Sequence, residues 1–218
     1  MPAPRILLTG LTASVTLLVA AACGGINSAD AAGITHDDLV SELATELSES
    51  ATLSYTATYQ LAGGDEAQIT QAQKPTRVAY TYPGGRLIRT PGVTTRCLGL
   101  KCTETVPAPA DVRSTGPLTT PESVLAMLNT AAVDPGATAE QHDTTVAGHH
   151  ATCVALTGVA RAPAPDFTVC VTAEGALGSF TATIGGKQAD LALTAYSDKP
   201  DATAFTLPSA AEVTDQRN

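Results

Sequence analysis

The side chains that could carry chemistry are few. Five cysteines stand at Cys23, Cys97, Cys102, Cys153 and Cys170, and two histidines are adjacent, His149 and His150. Cys97, Cys102, Cys153 and Cys170 fall in segments that read as strands, and their spacings do not form paired C-x-x-C knuckles, which speaks against zinc. In an oxidising compartment an even set of four reads as two disulfides. Of the three pairings, Cys97–Cys102 with Cys153–Cys170 is expected, because each closes a local hairpin. Adjacent residues of a strand point to opposite faces, so His149 and His150 cannot chelate one ion together. His142 has no acid at a telling spacing, and exposed strand-edge histidines are the expectation. Gly175-Ala176-Leu177-Gly178-Ser179 does not form the G-x-S-x-G elbow. There is no P-loop, no G-x-G-x-x-G after a strand and no H-E-x-x-H. Asp37-Asp38 and Asp65-Glu66 read as helix-end and turn acids rather than a catalytic pair. No catalytic residue, metal or cofactor is expected.

Cys23 is the odd cysteine. Ahead of it lie one base, Arg5, and an apolar run from Ile6 to Ala22 broken only by small residues, ending Leu17-Leu18-Val19-Ala20-Ala21-Ala22. A weakly basic start, an apolar core and small residues at the end describe a secretory signal peptide. The cysteine placed directly after it resembles the lipobox of bacterial lipoproteins, with Ala20 where that motif prefers Leu, Val or Ile. The resemblance implies diacylglycerol on the Cys23 thiol and a protein held at the cell membrane, on its extracytoplasmic side, through that acyl anchor. Ordinary cleavage stays open, since Ala20-Ala21-Ala22 also fits A-x-A. Residues 1–22 are thus read as signal peptide, 23–33 as a flexible tether of small and polar residues, and 34–218 as one domain.

Without residues 1–22 the chain keeps 196 residues, with 11 Lys and Arg against 21 Asp and Glu, a net charge of −10. That balance argues against nucleic acid as a partner, because phosphate binding needs clustered bases. It equally argues against a polybasic hold on anionic lipids.

The elements that would position any site follow from periodicity. A helix is expected from Thr35, with Leu39, Val40, Leu43 and Leu47 on one stripe and Glu42, Glu46 and Glu49 opposite. From Thr52 to Leu61 the alternation is strict: Leu53, Tyr55, Ala57, Tyr59 and Leu61 against Thr52, Ser54, Thr56, Thr58 and Gln60. Strands near Ala67–Gln73, through Val78, Tyr80 and Tyr82, at Arg86–Thr90 and at Val93–Leu98 follow, separated by glycine and proline turns. After a loop with Pro107, Pro109 and Pro117, Thr120-Pro121-Glu122 opens a second helix carrying Val124, Leu125 and Leu128. Strands resume at His150–Thr157, Phe167–Thr172, Ala176–Ile184 and Gln188–Tyr196, the last with Ala189, Leu191, Leu193 and Ala195 on its dry side. Phe205, Leu207, Ala211 and Val213 read as a terminal apolar clamp.

The expectation is an α+β domain: a single curved antiparallel sheet, with two amphipathic helices covering its dry, concave face. The chain resembles the lipoprotein-carrier fold, the LolA-like half-barrel also seen in envelope lipoproteins of the LppX/LprG type. The resemblance rests on the first helix followed by Leu53–Leu61, the opening Lys74-Pro75-Thr76-Arg77-Val78-Ala79-Tyr80, the Pro91-Gly92 turn, and Phe205 to Pro208. It implies a non-enzymatic carrier or binder of a lipid. On that reading Leu53, Tyr55, Ala57, Tyr59, Leu61, Val78, Tyr80, Tyr82, Leu191 and Leu193 would line a ligand cavity, with the proline-rich loop 158–165 as a movable rim. Tyr55, Tyr59, Tyr80 and Tyr82 taken by themselves read more readily as ordinary core than as a ligand shelf, and the loop as a plain surface loop. An envelope sensor that binds another protein is the alternative, and an exported hydrolase the remote third.

Overall fold

The computed structural model describes residues 36–108 and 117–217. The signal segment, Cys23, the tether and Pro109 lie outside the described residues. α1 (His36–Glu49) carries Asp37 and Asp38 in its first turn, where the helix dipole favours negative charge, and buries Val40, Leu43, Ala44 and Leu47 on one stripe. A 3₁₀ turn at Ser50–Thr52 ends it. The first strand therefore begins at Tyr55 rather than Thr52, leaving Leu53 outside the ladder.

Six strands follow: β1 (Tyr55–Leu61), β2 (Glu66–Gln73), β3 (Thr76–Tyr82), β4 (Gly85–Arg89), β5 (Thr94–Leu98) and β6 (Lys101–Thr105). α2 (Pro121–Ala131) starts where expected. The Thr120 hydroxyl accepts from the Ser123 N–H at 3.3 Å, and Pro121 takes the first helical position, where its missing N–H is no loss. Then come β7 (Thr138–Val146), β8 (His149–Thr157), β9 (Phe167–Thr172), β10 (Leu177–Ile184), β11 (Lys187–Ser197), a 3₁₀ turn at Ala202–Phe205, and β12 (Glu212–Asp215).

All twelve strands form one sheet, in the order β12-β6-β5-β4-β3-β2-β1-β11-β10-β9-β8-β7. This corrects the expected fold class. The sheet is mixed, because β12 returns parallel to β6, with Val213 beside Cys102. The single antiparallel half-barrel does not describe it. Three strands escaped the periodicity reading for physical reasons. β7 is an edge strand, mostly exposed, with no dry face to alternate. β6 hides behind the Cys97–Cys102 hairpin, where its short run read as part of a loop. β12 is wholly exposed and gains its place only by pairing.

Two antiparallel meanders, β1 to β6 and β7 to β11, meet along the β1·β11 pair. The register there slips between Thr58 and Tyr59. Thr194 is the residue left over, and its hydroxyl donates to the Thr58 carbonyl at 3.1 Å. A bulge reverses the alternation beyond it. Leu191 and Leu193 are buried as the pattern predicts, but Ala195 is exposed, and Tyr196 packs on the core in its place.

The buried residues of both helices share one apolar cluster with residues from β1, β2, β3, β4 and β8 to β11. The β9–β10 turn is held tightly against α1: Gly175 has φ +83°, and a Cβ there would stand 3.1 Å from the Glu46 carbonyl oxygen. A smaller cluster of Ala79, Ile88 and Ala204 carries Phe205 and Leu207, and the Arg77 guanidinium lies 4.0 Å above the Phe205 ring. Val213, expected in the clamp, is exposed instead. The described residues, 36–108 and 117–217, make one compact unit.

Candidate functional site

The structure brings the expected ligand-lining residues together as packed core. Tyr55, Ala57, Tyr59, Leu61, Tyr80, Tyr82, Leu191 and Leu193 are all buried, with Ala57 and Tyr59 at 0% exposure. Leu53 and Val78 are half-buried and pack on the same cluster. Tyr55 stacks on Tyr196 with ring centroids 5.8 Å apart. The Tyr80 hydroxyl donates to the Glu122 carboxylate in the first turn of α2. Burial, and next the Glu122 charge, push the Tyr80 phenol well above its ordinary range. Burial does the same to Tyr55 and Tyr59, so these rings stay neutral hydrogen-bonding groups.

Open space lies at the end of this core. A groove of about 740 Å³ runs between α2 and the β10–β11 hairpin. Leu61, Leu118, Met127, Ile184 and Ala189 supply its apolar wall, while Ser123, Thr130, Lys187, Gln188 and Asp190 supply polar groups. Of the residues expected around a ligand, Leu61 alone reaches it. α2 makes this division possible. Val124, Leu128 and Ala131 are buried in the core, and Ser123, Ala126, Met127 and Thr130 recur at helical spacing along the neighbouring stripe. That second stripe is present in the sequence, but its small and polar residues do not announce a binding surface. Beyond α2 and the residues just before it, the walls come from Leu61 and Ala62, Pro163 and the β10–β11 hairpin, segments that no local pattern connects.

The proline-rich loop 158–165 borders the groove through Pro163, and it is tied down. The Val159 N–H donates to the Pro165 carbonyl at 2.9 Å, and the Ala160 N–H to the Asp134 carboxylate at 2.8 Å. Val159 and Ala164 are buried. Asp134 also accepts from the Gly136 N–H at 3.0 Å, and these backbone donors hold its carboxyl below the ordinary value of 3.8.

Both disulfides join directly opposed residues, Cys97 with Cys102 across β5·β6 and Cys153 with Cys170 across β8·β9. His149 and His150 diverge as strand geometry requires. His149 meets Glu174 at 2.7 Å and packs edge-to-face with Tyr196, ring centroids 5.3 Å apart, whereas His150 is exposed. His142 is exposed on β7. The Glu174 partner lies 25 residues from His149, beyond the reach of a spacing argument. Among the described residues no group of three or more His, Cys, Asp or Glu is placed to hold a metal ion. None of the described helices is long and apolar enough to cross a membrane.

No family model matches the chain, and no curated protein matches it either. Among solved structures it is similar to an uncharacterized conserved protein from Thermus thermophilus. The identity is 12% and the TM-score 0.52, covering 82% of this chain and 99% of that one. At that identity the likeness concerns the fold alone.

Proposed function

We propose that the protein is an exported lipoprotein, anchored on the extracytoplasmic side of the cell membrane by acyl chains on Cys23. Its domain takes the acyl part of a lipid into the groove beside α2 without transforming it. The observation that carries the binding half of this reading is the groove itself. Its volume of about 740 Å³ falls in the ~300–1,000 Å³ range of small-molecule sites, and such sites combine apolar walls with a few polar groups at the rim. Met127 suits a ligand of variable shape, being unbranched and polarizable. The anchoring half rests on the sequence before Cys23. One acyl chain holds a protein only marginally, but two or more hold it stably, at ~0.8 kcal/mol per buried CH₂.

Lipid extraction of the protein purified from its own membrane, combined with titration of a fluorescent acyl probe, tests the binding half. Ala126 is exposed and borders the groove, so Ala126→Trp fills the space without crowding the core. The variant is expected to lose the probe and keep its melting temperature. Equal probe binding by wild type and variant would remove the groove from consideration. Cys23→Ala is expected to release the protein from the membrane fraction, and sedimentation unchanged from wild type would refute the anchor.

A second reading, a lipoprotein that binds another envelope protein, has its own observation. The hairpin stapled by Cys97–Cys102 exposes Leu98 at 63% and Leu100 at 53%, with Val213 of the neighbouring strand at 47%. Polar replacements of Leu98 and Leu100 would weaken a protein partner and leave the acyl probe bound.

A further inference from the structure

The negative charge of the chain is unevenly spread. Residues 67–103 contain six Lys and Arg and not one Asp or Glu. They build β2 after its first residue, Glu66, then β3 to β5 and the start of β6, so this stretch of an acidic protein carries bases alone. Within it lies a second cleft, of about 240 Å³, where the β2–β3 and β4–β5 turns approach the 3₁₀ turn after α1. Its walls include Ala51, Gln73, Thr76, Val78, Arg89 and Pro91.

Two arginines set this cleft apart, since both Arg77 and Arg89 line it with an Nε that is buried and has no hydrogen-bond partner among the described residues. Arg89 is half-buried, and among the described residues its guanidinium has no aromatic ring beneath it as that of Arg77 does. A guanidinium nitrogen shut off from water without an acceptor is unfavourable, and such atoms are ordinarily paired. The Glu122 carboxylate of α2 is engaged by the Tyr80 hydroxyl. The Gln73 side chain donates to the Ala51 and Leu53 carbonyls, and Thr76 and Thr90 donate to the Gln73 and Val93 carbonyls. The neighbours thus neither neutralise Arg89 nor compete with it as donors. Lys74 stands exposed in the adjoining turn, and Arg77 contributes to the wall although its guanidinium rests over Phe205.

We infer that this cleft binds a phosphate group, with the Arg89 guanidinium as its principal donor. The planar fork of an arginine matches two oxygens of a phosphate at once, and a lining without Asp or Glu places no negative charge against the approaching anion. The phosphate can be a free ion or the headgroup of an anionic lipid, and the two sources are separable. The cleft shares no lining residue with the groove beside α2, so the failure of either site leaves the other standing.

The test uses the full chain carrying Cys23→Ala, so that no acyl anchor inserts into vesicles. Inorganic phosphate is titrated calorimetrically, and phosphatidylglycerol vesicles are compared with phosphatidylcholine vesicles by co-sedimentation. Arg89→Gln is expected to weaken binding about tenfold or more, the loss of a hydrogen-bonded charge pair. Its far-UV circular dichroism and melting temperature report that it is folded. Lys101→Gln, at the far end of the basic stretch, is expected to leave binding unchanged. Phosphate binding lost in Arg89→Gln identifies a free-ion site, and binding to phosphatidylglycerol vesicles alone, lost in the same variant, identifies a headgroup site. Two outcomes overturn the inference: no binding to either probe, or equal weakening by Arg89→Gln and Lys101→Gln, which would mean diffuse attraction to the basic stretch.

Discussion

The pairing of Tyr80 with Glu122 ties the sheet to the start of α2, and its removal has a calculable effect. Tyr80 is 1% exposed, so Glu122→Ala leaves its hydroxyl buried without an acceptor, which costs about 1–3 kcal/mol. Glu122 also stands in the first turn of α2, where a carboxylate facing the helix dipole contributes ~0.3–1 kcal/mol. The single variant should therefore lose about 1–4 kcal/mol. In a Tyr80→Phe background the hydroxyl is already gone, and the same substitution should cost only the dipole part, ~0.3–1 kcal/mol. Urea denaturation of the wild type, both single variants and the double variant measures the difference as a coupling energy. Circular dichroism is the signal, since the chain has no Trp. Equal costs for Glu122→Ala in both backgrounds would refute the reasoning, because the hydroxyl would then not depend on the carboxylate.

Three further outcomes are expected. Ala57, at 0% exposure, has no space beside it, so Ala57→Trp should destabilise by ~1–3 kcal/mol, in contrast to Ala126→Trp; an unchanged denaturation midpoint would reveal a cavity under β1. Cys153 and Cys170 stand 17 residues apart and Cys97 and Cys102 only 5. Replacing the first pair by alanine should therefore cost about 1 kcal/mol more than replacing the second, by loop entropy; the reverse order of melting temperatures would contradict this. Asp134 is held below its ordinary value by the Ala160 and Gly136 N–H groups. Its contribution is thus fully present above that ordinary value and is lost as pH falls through the lowered one. The stability gap between wild type and Asp134→Ala should narrow as pH falls below the ordinary carboxyl value of 3.8, and a gap independent of pH would count against the carboxylate's role.

The sequence was most legible where one face of a strand is dry and the other wet. The alternation from Tyr55 to Leu61 is realised in β1, and the cap at Thr120 with Pro121 places the start of α2. It was illegible where a strand exists by pairing alone. β7 has the composition of a surface loop and is ordered by its ladder with β8. β12 joins β6 from more than 100 residues away, and this one parallel pairing changes the class of the sheet. The bulge at Thr194 shows a subtler limit, since one unpaired residue moved Ala195 outward and Tyr196 inward while the residue types stayed the same. The candidate site was the least legible part. The tyrosine rows that suggested a cavity fill their own space, and the groove is assembled from a helix stripe, a hairpin and a loop that share no period.

The seam between β1 and β11 also governs how the chain can reach this structure. Its partners, such as Thr56 and Ser197, stand about 140 residues apart, yet the entropy of closing so long a loop grows only as the logarithm of its length, ~0.6 kcal/mol per doubling. Each meander contains only neighbouring hairpins, so β1 to β6 and β7 to β11 can form their ladders from local contacts. The sheet becomes continuous only when these two halves find each other. Until β11 is in place, β1 carries an open hydrogen-bonding edge beside Tyr55, Ala57 and Tyr59. An edge of that kind invites pairing with a second copy of the chain, so folding is a race between the chain's own last long strand and a neighbour's first.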